Sequence, residues 1–194
     1  MIHVIGRWGT GTSLVAEIMR RHGCYFGNIE DAPGGRDGKR QERNKWGNME
    51  DRQLLSLICQ EKVQPLDIKM HLHRLEQHEG ESALKCPWIL VRPDVWPLLE
   101  EQNIRAVWLT RPSKRDRDYD MLAHLQEAAK VGYETLRERW ALIPGLEITY
   151  EDVMGNPARA VERIAEFLGV PPQKDMRGVV DPTWPRFWRP NDSQ

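Results

Sequence analysis

The sequence has few cysteines, no long apolar run and almost no net charge, and each of these lacks excludes a class of protein. Its cysteines, Cys24, Cys59 and Cys86, are odd in number and widely spaced, which argues against a disulfide framework or a zinc site. No stretch approaches the roughly 20 apolar residues of a transmembrane helix. A formal net charge of −1 provides no global attraction to nucleic acid or to a membrane. We therefore expect a cytoplasmic protein that spans no membrane and binds no nucleic acid.

Length and composition describe one ordinary globular domain covering residues 1–194. The chain is 40% hydrophobic and 29% charged, values typical of soluble proteins. Its six histidines lack the spacing of metal ligands or of a catalytic triad, so we predict no metal site. The G-x-S-x-G pattern of many serine hydrolases is absent as well.

Apolar runs and helical spacing alternate along the chain. The runs predict strands at Ile2–Ile5, 24–26, Ala83–Lys85, Arg105–Thr110 and 146–150. Helical patterns follow at 14–19, 51–60, 68–79, 93–101 and 118–140, and a last helix is capped by Asn156 and ends before Gly169. Such alternation is typical of a parallel sheet covered on both faces. The expected fold is a three-layer α/β/α P-loop fold with a central parallel sheet.

The most informative motif is a G-x-x-x-x-G-T-S pattern at Gly6–Ser13, placed directly after the first strand. Glycines allow a tight turn that directs backbone N–H groups at one point, and the helix behind them adds partial positive charge. We predict that this loop binds phosphate through Arg7, Trp8, Gly9, Thr10, Gly11, Thr12 and Ser13. The alternative is an ordinary glycine-rich turn. Thr12 stands where a nucleoside-triphosphate P-loop carries lysine, which weakens a kinase assignment.

The loop resembles the phosphosulfate loop of sulfotransferases that use 3′-phosphoadenosine-5′-phosphosulfate (PAPS), in particular the bacterial-type enzymes. That loop typically runs G-x-P-[RK]-S-G-T-[ST], and Gly6, Gly11, Thr12 and Ser13 match it. Gly9 occupies the position of the family's basic residue, and Arg7 stands two residues earlier. The resemblance implies that PAPS is bound as a co-substrate, and that no metal is required.

Two further stretches follow the family's order. The stretch 44–50 resembles an N-x-x-G-x-x-E element, which implies that Glu50 is the general base; a helix-start residue favoured by the helix dipole is the alternative. Residues 84–87 resemble a K-x-P element at the end of a central strand, which implies that Lys85 stabilises charge on the transferring group. An unremarkable surface lysine is the alternative for Lys85.

The strand at 105–110 runs into Arg111-Pro112, which resembles the R-D-P element whose arginine binds the nucleotide's 3′-phosphate. Tyr119 stands where the family has a serine on the same phosphate. The segment 148–171 resembles the family's Y-E-D-L segment and its following helix, and there Tyr150 is interpreted as structural.

We therefore expect transfer of a sulfuryl group from PAPS to a hydroxyl or amine of a small-molecule or carbohydrate acceptor. The catalytic residues would be Glu50, Lys85 and Arg7, and the acceptor site would involve 28–48, 68–79 and 179–190. One alternative is a nucleotide or small-molecule kinase with a degenerate P-loop. Another is a non-catalytic protein that binds PAPS or its product, an option that Gly9 and Tyr119 keep open.

Overall fold

The computed structural model describes residues 1–29, 50–112, 123–173 and 179–180. The predictions for the N-x-x-G element before Glu50, for Tyr119 and for most of the C-terminal tail lie outside these residues. The strands are β1 (Ile2–Ile5), β2 (Ala83–Lys85), β3 (Arg105–Thr110) and β4 (Gly145–Thr149). The helices are α1 (Thr12–Arg21), α2 (Arg52–Ile58), α3 (Pro65–Glu76), α4 (Trp96–Glu100), α5 (Ala123–Arg139), α6 (Tyr150–Gly155) and α7 (Pro157–Leu168), with a 3₁₀ helix at Pro87–Val91.

The strands form a parallel sheet in the order β2-β1-β3-β4. β1 lies at its centre, where Val4 is opposite Lys85 on one side and Val107 on the other. The chain leaves β1 toward β2 and leaves β3 toward β4, in opposite directions. Ligands of open parallel sheets bind where such connections diverge, at the carboxyl ends of the strands. A ligand site is therefore expected at the carboxyl ends of β1 and β3.

Both faces of the sheet are covered, which confirms the predicted α/β/α architecture. On β3, Ala106 and Trp108 belong to the core cluster formed with α2, α3, α4 and α5. Val107 and Leu109 belong to the second cluster, formed with α1, α6 and α7. Alternate side chains of one strand thus enter opposite layers, as the pleat requires. In the part of the chain that the structure describes, no helix is long and apolar enough to cross a membrane.

Two predictions of strands are wrong. Residues 24–26 form no strand, because only Tyr25 pairs with the sheet region, through one isolated bridge to Ser82. β4 ends at Thr149 instead of Tyr150, and the short helix α6 was not expected. A capping box causes this early turn: the Thr149 hydroxyl accepts from the Asp152 amide at 2.9 Å, and the Asp152 carboxylate accepts from the Thr149 amide at 3.1 Å. The strand is thereby converted into a helix at Tyr150.

The last helix matches its prediction at both ends. Asn156 caps α7 by accepting a hydrogen bond from the Arg159 amide at 3.2 Å, and Pro157 takes the first helical position. Gly169 ends the helix with a φ of 72°, the left-handed conformation common after a last helical turn. The helix predicted at 93–101 is shorter than expected and begins at Trp96.

Candidate functional site

The predicted site residues lie at one edge of the sheet. The loop Gly6–Gly11 follows β1, Lys85 is the last residue of β2, Arg111 follows β3 and Tyr150 follows β4. The carboxyl ends of parallel strands share an edge, so these residues are brought to the same end of the molecule. The fold therefore gathers residues that are up to 144 positions apart, from Gly6 to Tyr150.

The loop turns back on itself just before α1. The Thr10 hydroxyl donates to the Arg7 carbonyl at 2.7 Å, and the Thr10 amide donates to the same oxygen at 3.2 Å. Gly9 and Gly11 have φ values of 78° and 93°, in the left-handed region that side chains rarely adopt. These two glycines are what allows a turn of this tightness between β1 and α1.

The loop is also closely packed against its neighbours. A Cβ at Gly6 would lie 2.6 Å from the Thr10 hydroxyl and 2.9 Å from the Leu109 carbonyl. A Cβ at Gly11 would lie 2.6 Å from Cδ2 of Tyr150. Both glycines are therefore required by close contacts, to β3 at one point and to the start of α6 at the other.

Three backbone amides of the loop and of the start of α1 have no acceptor among the described residues. Among the residues that the structure describes, nothing accepts from the backbone amides of Gly9, Gly11 and Thr12. They lie at the N-terminus of α1, where the helix dipole favours negative charge. Amides in this arrangement form a binding site for a phosphate or a similar anion.

Arg111 holds its cation beside this loop. Its Nη1 donates to the Gly9 carbonyl at 3.1 Å, and its guanidinium carbon lies 4.2 Å from the centre of the Tyr150 ring. Its Nε is buried and has no hydrogen-bond partner in the described part of the chain. The two contacts place a forked donor next to the unused amides, where it can bind an anionic oxygen.

Lys85 and Glu50 form a buried ion pair at the end of β2. Their Nζ and Oε1 atoms are 2.8 Å apart, and the side chains are 4% and 8% exposed. The surface-lysine alternative for Lys85 is therefore wrong. Glu50 lies one residue before the N-cap of α2, which is Asp51: its carboxylate accepts from the Leu54 amide at 2.8 Å, and α2 begins at Arg52. The pair brings the predicted base and the predicted cation into direct contact.

The charges of this pair affect the pKa of the neighbouring thiol, Cys86. Burial and, to a smaller extent, the Glu50 carboxylate raise the pKa of the Cys86 thiol to about 12, while Lys85 opposes this rise. A thiol of this kind is uncharged at neutral pH and is a weak nucleophile. Cys86 therefore acts as an apolar packing residue under the ion pair.

Trp8 and Arg7 of the loop interact with different helices. The Trp8 indole packs edge-to-face on Trp88 of the 3₁₀ helix, with ring centroids 5.1 Å apart. Burial raises the pKa of the Tyr133 hydroxyl on α5, and the charges of Arg137 and, more weakly, Arg7 oppose this rise. The Arg7 cation is therefore near enough to α5 to act on Tyr133.

Tyr150 is the residue whose contribution to the site is least evident from the sequence. It contacts Gly11 on one side and Arg111 on the other, so it joins the loop to the cation. The signal that indicates it is an aromatic residue at the end of the last predicted strand, 146–150. In the described ranges 1–29, 50–112 and 123–173, His, Cys, Asp and Glu form no group of three that could hold a metal ion.

Comparison with solved structures identifies the architecture. The chain is similar to the sulfotransferase domain of the olefin synthase from Synechococcus PCC 7002, with a TM-score of 0.62, 16% sequence identity, and coverage of 94% of this chain and 76% of that one. The fold is that of a sulfotransferase domain. No family model matches this chain, and no curated protein matches its sequence.

Proposed function

We propose that the protein is a sulfotransferase that moves a sulfuryl group from PAPS to a hydroxyl or amine of a small-molecule or carbohydrate acceptor. The observation that carries the proposal is the loop before α1, where the amides of Gly9, Gly11 and Thr12 lack protein partners and Arg111 lies alongside. The likeness to a sulfotransferase domain supports it, since the loop occupies the carboxyl edge of that fold.

The loop and Arg111 would bind the donor. The 5′-phosphosulfate accepts hydrogen bonds from the loop amides and from the hydroxyls of Thr12 and Ser13. Arg111 is the proposed ligand of the 3′-phosphate, with Tyr119 as its partner there. Arg7 supplies a second cation near the loop, in place of the basic residue that the family carries at the position of Gly9.

The Glu50–Lys85 pair would act on the reacting atoms. An acceptor oxygen or nitrogen bonds to sulfur, the bond from sulfur to the phosphate oxygen breaks, and 3′-phosphoadenosine-5′-phosphate (PAP) leaves. Glu50 takes the acceptor's proton, which requires an approach within about 3 Å. Lys85 has three N–H donors, so it can keep its contact with Glu50 while stabilising negative charge on oxygen.

A second candidate is a protein that binds the same nucleotide without transferring sulfate. The specific observation in its favour is the ion pair itself, because Glu50 and Lys85 satisfy each other at 2.8 Å. Gly9 in the loop supports it as well, since this position has no charged side chain. Nucleotide binding is common to both candidates, and turnover separates them.

Calorimetry with PAP, and with ATP and magnesium in parallel, tests the binding step. We expect PAP to bind and Arg111→Lys to weaken its binding about tenfold or more, because lysine lacks the forked geometry of arginine. Arg159→Lys is the matched control, since Arg159 is exposed on α7. Binding of ATP without binding of PAP would refute the proposal and favour a kinase.

Transfer is tested with radiolabelled PAPS and a panel of hydroxyl and amine acceptors. We expect Glu50→Gln to retain PAP binding and to lose transfer by about 100-fold or more, in the range of a removed general base. Glu61→Gln, a change at an exposed residue, is the control. Undiminished transfer by Glu50→Gln would remove Glu50 from the catalytic role, and nucleotide binding with no transfer to any acceptor would favour the binding protein.

A further inference from the structure

Asp51, the residue after Glu50, is a buried carboxylate with several partners. It accepts hydrogen bonds from the amides of Leu54 and Asn28, each at 2.8 Å. Nε2 of His71 lies 2.9 Å from its Oδ1. The side chains of Asp51 and His71 are 1% and 6% exposed. Burial of a carboxylate costs free energy unless such partners compensate for it.

Capping of α2 does not require this burial. Two other helices of the same chain are capped by Thr149 and Asn156, and both of those hydrogen bonds are exposed. Neither Thr149 nor Asn156 needs an ionisable side chain from another helix to start its helix. The contact between Asp51 and His71 of α3 is therefore additional to the cap.

Asp51 connects three parts of the structure. Its own segment pairs with 28–29, through the bridge between Ile29 and Asp51 and a hydrogen bond from the Arg52 amide to the Asn28 carbonyl at 3.3 Å. Its side chain starts α2, and His71 attaches it to α3. Asp51 thus joins the residues that precede position 30 to the residues that follow position 49.

The consequence concerns the residue just before it. Adjacent Cα atoms are about 3.8 Å apart, so a fixed Asp51 restricts where the Glu50 backbone can lie. The Glu50 side chain then reaches Lys85 on β2. Burial raises the pKa of the Asp51 carboxyl, but the close contact with His71 and the hydrogen bonds from the Leu54 and Asn28 amides outweigh this and lower the pKa, so the group stays charged.

We infer that Asp51, held by His71, is a positioning residue that sets Glu50 against Lys85. Its effect on catalysis rests on the proposed function, in which Glu50 is the base. Asp51 and His71 act through Glu50 and do not touch the reacting atoms. Loss of His71 should therefore change the rate of transfer and leave nucleotide binding intact, since the loop and Arg111 lie on other strands.

The variant His71→Gln tests this, with His73→Gln as the matched control, because His73 is exposed two residues further along α3. We expect His71→Gln to lower kcat by about tenfold to 100-fold, the effect of a misplacement of around 1 Å. Its PAP dissociation constant should change less than about twofold, and the control should change neither quantity. An unchanged kcat would overturn the inference, as would equal losses of kcat and PAP affinity.

The same substitution in a Glu50→Gln background separates positioning from general damage. If His71 acts through Glu50, adding His71→Gln should lower the residual single-turnover rate by less than about twofold, because the effects of residues that act through one group are not additive. A loss equal to that in the wild-type background would show that His71 acts independently of Glu50 and would refute the inference.

A measurement without substrate keeps this inference distinct from the proposed function. Urea unfolding of the wild type, the variants Glu50→Gln and Lys85→Met, and the double variant gives the coupling free energy between Glu50 and Lys85. We expect His71→Gln to lower this coupling by about half or more, and an unchanged coupling would refute the positioning role. A lowered coupling in a protein that binds no PAP would leave the inference standing and remove the proposed function.

Discussion

Replacement of Gly11 by alanine tests the loop most directly, because another glycine of the same helix provides an internal control. Gly11 precedes α1 with a φ of 93°, and Gly23 follows α1 with a φ of 94°. A Cβ at Gly11 would meet the Tyr150 ring at 2.6 Å, whereas a Cβ at Gly23 would meet nothing within 4 Å. The two substitutions thus share the backbone strain and differ in the contact.

The structure sets the expected size of each effect. A left-handed conformation costs a residue with a side chain roughly 1–2 kcal/mol. Gly23→Ala should therefore lower the free energy of unfolding by about that amount. Gly11→Ala adds an overpacked contact with Tyr150, worth about 1–3 kcal/mol, which gives a total loss of about 2–5 kcal/mol. Because Tyr150 also supports the Arg111 cation, displacement of its ring should weaken PAP binding about tenfold or more.

Urea unfolding and calorimetry with PAP measure both quantities on the same three proteins. Gly23→Ala should bind PAP like the wild type, since Gly23 lies at the far end of α1 from the loop. The reasoning is refuted if Gly11→Ala is no less stable than Gly23→Ala. It is also refuted if Gly11→Ala keeps the wild-type affinity for PAP.

Three further predictions concern stability and nucleotide binding. Gly132→Ala would place a Cβ 1.8 Å from a backbone carbonyl of the 3₁₀ helix, so urea unfolding should show a free energy of unfolding lower by about 3 kcal/mol or more. Gly155→Ala, whose Cβ would meet nothing within 4 Å, should be neutral or slightly stabilising. Equal effects of the two substitutions would contradict this reasoning. Burial lowers the pKa of His3 from 6.5 to about 3, so the unfolded chain takes up the proton first and stability is lost as pH falls below 6.5. Between pH 7.5 and pH 5 the resulting loss in the free energy of unfolding is about 2 kcal/mol, and His3→Phe should abolish this pH dependence. An unchanged pH dependence in His3→Phe would contradict the lowered pKa of His3. Gly9→Lys, which introduces the family's basic residue, should weaken PAP binding in calorimetry, and tighter binding would be the opposing result.

The strands β1 and β2 could be predicted because burial on both faces leaves a continuous pattern. All of Ile2–Ile5 is buried, and so is all of Ala83–Lys85. The same reasoning fails at 24–26, where Cys24 and Phe26 are buried in the core without a strand partner beyond the single bridge of Tyr25. Apolar runs indicate burial, and they do not indicate whether the backbone hydrogen bonds form a ladder.

Contacts within the site could not be predicted in the same way. Order along the chain indicated Glu50 and Lys85 separately, but these residues are 35 positions apart and no periodicity relates them. The contact depends on where Asp51 is held by α3, a tertiary relationship that leaves no pattern in the sequence. Tyr150 illustrates the same limit, since its contacts with Gly11 and Arg111 follow from a capping box that ends β4 one residue early.

The absence of a basic side chain at position 9 has a structural explanation. Gly9 has a φ of 78°, a conformation in which a lysine or arginine would be strained. Its carbonyl accepts a hydrogen bond from Arg111, so the turn directs a backbone oxygen toward the cation at the end of β3. The cation that contacts position 9 is therefore Arg111, which follows the neighbouring strand β3. A side chain at position 9 would strain the turn that makes the contact with Arg111 possible.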